Sequence, residues 1–418
     1  MRFFRRKEIC QSIRSAEKNM NSNEKAWGLN LFTIGLLGCL VAAGAATAAV
    51  IEKRPIHIGI VGASGGDIES CEEMHDFVFN FVYNVGTSPS LPDEQRRSFA
   101  ETTWLRSRSF IESQYSVLPD CNTQFRSRGL AQAKIMATEI ATMMPGIPVS
   151  AYAGFRYVFG DKSPQGLTLL DALDRARTDG VTHLFVTDQD DILYSSIMQL
   201  LGFEQIQNYL SAHPEWRVQV VGLNGYSTQP QFDELLAQHI VQGVQASFGP
   251  VPGERVVVIL PSQAISIESE TTDPHARQAR DLARRVQSLL PSFDIRLAFQ
   301  HAGTDPSVPP KTPPTRSLPA DYDVLPEVAV SPRPYVFVSP KLQWPVTDIS
   351  IWWRQNIKYH ERLQELAADK LVVNEDAWDA SLDLARFAAR IVRDTMFFGP
   401  SPRYDLTLIS KSGLKGTR

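Results

Sequence analysis

Short runs of apolar and β-branched residues recur along the chain, separated by longer stretches in which apolar positions repeat about every 3.6 residues. The runs Ile56–Val61, Val149–Ala153, His183–Val186, Val218–Leu223, Arg255–Leu260, Ile295–Phe299 and Tyr335–Val338 predict strands. Helical spacing covers Ile68–Tyr83, Leu130–Met143, Gly166–Arg177, Ser195–Leu210, Gln231–Phe248, His275–Leu289 and Ala377–Met396. Strand alternating with helix implies parallel sheets joined by right-handed crossovers, so the pattern predicts a doubly wound α/β fold. The residues that follow position 51 suffice for two such lobes or one large domain.

Three stretches break the rhythm. Leu31–Ile51 is 21 residues without a charge, and at about 1.5 Å per residue it covers a hydrocarbon core of about 30 Å. It predicts one transmembrane helix over 29–52, since a cleaved signal peptide has a shorter apolar stretch with its charges closer. Gly44 and Ala48 form a small-xxx-small pair on that helix; close packing against a neighbouring helix and mere membrane composition account for it equally. Residues 302–334 hold nine of the 27 prolines and little periodicity, which predicts an extended surface insertion. The polar to basic tail, 401–418, is expected to trail on the surface.

Composition sharpens this. A chain of 418 residues that is 43% hydrophobic and 21% charged is a folded protein, and 42 Lys+Arg against 46 Asp+Glu argues against nucleic acid as a partner. The head, 1–28, departs from the average, with seven basic side chains against three acidic ones. It favours a cytoplasmic or matrix-facing N-terminus, but Lys53 and Arg54 follow the apolar segment directly, so the side bearing the large domain stays open. Cys10, Cys39, Cys71 and Cys121 have no CxxC spacing, which signals neither a zinc site nor a disulfide framework; inside the globular part only Cys71 and Cys121 are available to pair. The eight histidines contain no HExxH, and GxSxG is absent, so metalloprotease and α/β-hydrolase chemistry lack their motifs.

Candidate chemistry gathers where strands end. Gly59–Gly66 is a glycine-rich strand-to-helix turn able to cradle a phosphate, though its spacing also suits an ordinary tight turn. Asp188, Asp190 and Asp191 follow a strand at the edge where open parallel sheets place ligands; they are candidates for a hard cation or for helix capping. Arg156 and Tyr157 follow another strand, and Arg156 offers a clamp for a carboxylate or a structural ion pair.

Taken in order, these pieces resemble the ferrochelatase family, two-lobed α/β enzymes that insert ferrous iron into protoporphyrin. The matching pieces are the turn Gly59–Gly66, Phe155-Arg156-Tyr157, Pro230-Gln231-Phe232, Thr272-Asp273-Pro274-His275 ahead of a helix, Phe299-Gln300, and Asn374-Glu375-Asp376-Ala377-Trp378. The resemblance implies two Rossmann-like lobes over 53–400, with Arg156, Tyr157, Asp273 and His275 lining a porphyrin cleft. It also exposes two departures. The family's proton-accepting histidine, in a Ser-Ala-His-Gly segment, aligns with Gln263 of Pro261-Ser262-Gln263-Ala264, and glutamine cannot accept the proton. The family's glutamate aligns with Ser350, and the neighbouring histidine with Asp348. Loss of a general base alone costs about 10²–10⁴-fold in rate.

The resemblance therefore implies a chelatase-like protein without catalytic residues or a required cofactor, tethered in the mitochondrial inner membrane as an accessory subunit of a larger complex. A respiratory complex, complex I first, is the expected setting. The alternatives are an active membrane-anchored ferrochelatase using Asp188, Asp190, Asp191 or His275, and a module that binds haem or porphyrin without chemistry.

Overall fold

A computed structural model describes residues 55–64, 68, 70–84, 90–116, 119–122, 125–155, 168–188, 196–263, 274–300, 325–339, 363–374 and 382–416. Contacts divide the chain after Pro55, and Ile56–Arg418 forms one compact unit. The apolar 31–51 segment lies outside the described residues; among those described, no helix is long and apolar enough to cross a membrane.

The strands are β1 (Ile58–Ser64), β2 (Val149–Phe155), β3 (His183–Asp188), β4 (Gln219–Leu223), β5 (Val256–Gln263), β6 (Asp294–Gln300), β7 (Tyr335–Val338), β8 (Leu371–Asn374), β9 (Leu406–Ser410) and β10 (Gly413–Gly416). The helices are α1 (Met74–Asn84), α2 (Asp93–Tyr115), α3 (Phe125–Met143), α4 (Leu169–Thr178), α5 (Ser196–Ala212), α6 (Phe232–Phe248), α7 (His275–Leu289), α8 (Leu325–Val330) and α9 (Leu382–Phe398). The fold is mixed α/β, built on two sheets in the orders β2-β1-β3-β4-β9-β10 and β6-β5-β7-β8. The first four strands of one sheet and the four of the other are parallel and follow the same order, so the second half of the chain repeats the first in topology.

Period-two alternation explains how the sheets bury both faces. Ile58 and Ile60 of β1, Phe185 of β3, Val221 and Leu223 of β4, Val256, Val258 and Leu260 of β5, and Phe337 of β7 enter one core, closed by apolar faces of α3, α6, α7 and α9. The intervening residues point outward. Val61, Leu184 and Val186 pack against α4 and α5, and Val257, Ile259 and Val336 against Val328 of α8 and Leu363 and Ala367. The final helix, α9, leaves the second sheet and packs on α3 beside the first, where Arg386 Nε meets Glu139 Oε2 at 3.2 Å. One hydrophobic core thus spans both halves.

Three expectations are corrected. The 401–418 segment does not trail: Leu406 is fully buried, and β9 pairs antiparallel with β4 to extend the first sheet. Asn224 holds it there, donating through Nδ2 to Asp405 Oδ1 at 2.9 Å and accepting from Thr407 Oγ1 at 2.9 Å. The stretch 302–334 is not extended throughout, because its Leu325–Val330 portion is helical and buries Val328 against the second sheet. The first sheet is mixed rather than purely parallel, since β9 and β10 run antiparallel.

Gly154 is required by a close approach. Its Cβ, if present, would lie 2.6 Å from Leu169 Cα and 2.8 Å from Thr168 O, where the start of α4 crosses the end of β2. Thr168 caps that helix reciprocally with Asp171, so this backbone has little room to retreat. Gly154→Ala is expected to lower stability by about 1–3 kcal/mol, the usual cost of overpacking, measured as a fall in the urea midpoint at unchanged slope.

Candidate functional site

The carboxyl ends of the parallel strands define the first region of interest. Gly59 lies inside β1 with no room for a side chain, since a Cβ there would come within 2.8 Å of Leu184 Cδ1, so it serves strand packing. Asp188 ends β3, in register with Ala63 of β1. Gln263 ends β5, in register with Gln300 at the end of β6. Position 263 is therefore at the carboxyl edge of the second sheet. Beside it, Ser262 is 1% exposed and its Oγ lies 3.3 Å from Nε2 of His275, itself 1% exposed at the start of α7. The imidazole is a buried packing group at this edge and does not face solvent.

On the first sheet the same edge holds a buried polar pair. Thr187 Oγ1 and Tyr226 OH are 2.7 Å apart and buried, and Tyr226 packs with Phe232 and Phe387 at ring separations of 6.4 and 6.3 Å. Arg156, Tyr157, Asp190, Asp191, Asp273, Asp348 and Ser350 lie outside the described residues. Of the sequence-derived candidates, the structure thus positions His275 and the backbone of Asp188 and Gln263. Among the described residues there is no group of three or more His, Cys, Asp or Glu side chains arranged to hold a metal ion.

The second region was not anticipated. Between β1 and α3 the chain builds a helical hairpin, α1 and α2, with its own small core of Met74, Val78, Trp104, Ile111, Tyr115 and Cys121. The expectation of no disulfide is corrected here: Cys71 and Cys121 are bonded, their Cα atoms 5.0 Å apart and 50 residues apart in sequence. The hairpin returns the chain beside its own start, and Asp120 and Cys121 take left-handed backbone angles, φ 52° and 54°, that turn Cys121 back toward Cys71. Each such non-glycine residue costs about 1–3 kcal/mol, tolerated only where surrounding structure enforces it.

Beside this bridge is a cavity of about 740 Å³ walled by both cysteines, His75, Trp104, Arg108 and Glu112 among others. Arg108 Nε donates to Glu112 Oε1 at 2.7 Å, and its guanidinium sits 6.0 Å from the Trp104 ring centre. His75 is held edge-on to Trp104 at 5.4 Å, with Nδ1 2.9 Å from Asp76 Oδ1 and Nε2 3.1 Å from Glu101 Oε2. Only the doubly protonated imidazolium satisfies carboxylates on both nitrogens. Desolvation alone would lower its pKa, but the hydrogen bonds to Asp76 and Glu101 and their charges outweigh it, raising the pKa above the ordinary 6.5.

A raised folded-state pKa contributes stability that is complete below the unfolded value near 6.5 and disappears as pH climbs through the folded pKa. The stability gap between the wild type and His75→Gln is therefore expected to be widest in mild acid and to close at alkaline pH, with the His75 ring protons titrating above 6.5 by NMR. A gap that widens with pH would contradict the assignment.

No protein-family model matches the chain, and no curated protein matches it. Among solved structures it is similar to the sirohydrochlorin chelatase SirB of Bacillus subtilis subspecies spizizenii in complex with cobalt, at 12% identity and a TM-score of 0.41, over 81% of this chain and 95% of that one. It is also similar to LsrB of Clostridium saccharobutylicum in complex with AI-2, at 12% identity and a TM-score of 0.26, over 62% of this chain and 77% of that one. Likenesses of this size carry no functional argument.

Proposed function

We propose that the chain is a chelatase-type α/β protein without metal-insertion chemistry, anchored by its 31–51 segment and acting as an accessory subunit of a membrane protein complex. The mitochondrial inner membrane is the proposed site and respiratory complex I the first candidate assembly. The observation that carries the reading is the carboxyl end of β5. Gln263, which the resemblance aligns with the base, ends β5, and the imidazole of His275 is buried against Ser262 one residue before it. A glutamine offers no proton-accepting pKa near neutrality, and a base must reach the proton that it takes. The Cys71–Cys121 bridge supports an oxidising compartment for the soluble part.

Two measurements test this reading. The full chain in detergent, given ferrous iron and protoporphyrin as substrates, is expected to form metalloporphyrin no faster than the uncatalysed control. Formation above that rate, abolished by Asp188→Asn, would make it an enzyme instead. Purification from native membranes is expected to recover stoichiometric partner subunits; a lone monomer would remove the accessory role.

A further inference from the structure

We infer that the cavity walled by the Cys71–Cys121 bridge and Trp104 is a binding site for small aliphatic diamines, organic dications that carry no carboxylate. Its lining holds three carboxylates, Glu72, Glu112 and Asp120, against two cationic side chains, His75 and Arg108. Both cations are already engaged. Arg108 donates to Glu112, and the two ring nitrogens of His75 meet Asp76 and Glu101. Glu72 and Asp120 are left over, both exposed and neither with a hydrogen-bond or ion-pair partner among the described residues. An anion entering the cavity is repelled by them, and a cation pairs with them.

The bridge is what brings these two carboxylates together. Glu72 follows Cys71 and Asp120 precedes Cys121, and the cysteine Cα atoms are 5.0 Å apart. A covalent tie therefore holds the two stretches of backbone that carry them. Neighbouring negative charges repel, and one ligand with two ammonium groups relieves both at once. A bare metal ion is a poorer fit, because among the described residues no three His, Cys, Asp or Glu side chains converge to hold one.

The other walls suit an alkyl chain. Met74 and Trp104 supply apolar surface, and a volume of about 740 Å³ falls within the range of small-molecule sites, about 300–1,000 Å³. The chain already seats cations of its own here. The Arg108 guanidinium rests 6.0 Å from the Trp104 ring centre and against Glu112, an aromatic face and a carboxylate together. The imidazolium of His75 is favoured by the carboxylates around it. Positive charge is thus stabilised on two sides of the cavity, while the carboxylates beside the bridge still lack a partner.

The test titrates the oxidised full chain in detergent with 1,4-diaminobutane, with butylamine as the monocation and with glutarate as the dianion, at matched ionic strength, by calorimetry and by NMR of the His75 ring protons. The diamine is expected to bind about tenfold more tightly than butylamine, since each exposed ion pair contributes several-fold, and glutarate is expected not to bind. Because the bound charge shares the cavity with His75, saturating diamine should move the His75 titration to lower pH. Glu72→Gln combined with Asp120→Asn is expected to cost about tenfold in diamine affinity and to abolish that movement. Asparagine accepts the left-handed φ of 52° at position 120, so the turn is kept; should the double variant not fold, Glu72→Gln alone is expected to lose several-fold. Glu254→Gln, exposed just before β5, removes a negative charge elsewhere and should leave the affinity unchanged. Equal affinities for diamine and butylamine, a His75 titration unmoved at saturation, or a loss with Glu254→Gln as large as that with the cavity variant would each overturn the proposal.

Discussion

Truncating Phe387 to alanine is expected to cost about 3–5 kcal/mol, the range for removing a buried aromatic side chain, and to lower the melting of both sheets together. Phe387 is 3% exposed on α9. Its ring meets Phe232 edge-on at 5.9 Å and Tyr226 at 6.3 Å, and all three belong to the core that also contains Ile60 of the first sheet and Val258 of the second. A void there removes contacts from helices that face both sheets. Calorimetry should show a single transition in the wild type and one lower transition in Phe387→Ala; two transitions, only one of them shifted, would show that the halves fold independently.

The second large effect is the loss of the bridge. In the chain-entropy account, closing a loop of 50 residues stabilises by about 4 kcal/mol at 25 °C. The double substitution Cys71→Ser and Cys121→Ser is expected to lose that amount in urea denaturation, relative to the oxidised wild type. The hairpin should report it most strongly, since α1 and α2 share a small core of their own and the bridge joins the chain just before α1 to the chain just after α2. Hydrogen exchange over 74–115 would show the faster opening. An unchanged denaturation midpoint and unchanged exchange would refute it.

All seven strands expected from apolar runs are present, because each fills two faces and so reads as a continuous apolar stretch such as Val256–Leu260. β9 escaped notice for a physical reason. LTLIS is five residues long, and its partner Gln219–Leu223 lies far back in the chain, so nothing local marks it as paired. Helix α2 was missed because its buried stripe, Ala100, Trp104, Ile111 and Tyr115, is crossed by exposed Phe99 and Leu105 at 53% and 64%, which blurs the period. Gln263 could be placed at a strand end from sequence, since parallel sheets put their loops at known edges. The cavity at Cys71 could not, because it exists only once two helices, the second of weak amphipathicity, have turned the chain back on itself.

The pairing of β4 with β9 has a consequence for biosynthesis. Residues are released from the ribosome in order, so β4 emerges almost two hundred positions before the strand that covers its free side. Until then, the amide and carbonyl groups of Gln219–Leu223 form an open flank of the kind that seeds intermolecular pairing. Polypeptides ending prematurely near Pro400 are expected in the pellet rather than the supernatant when lysates are fractionated, whereas finished ones close the flank with their last residues. Completion of translation is in this way the final step in making the nascent protein sociable.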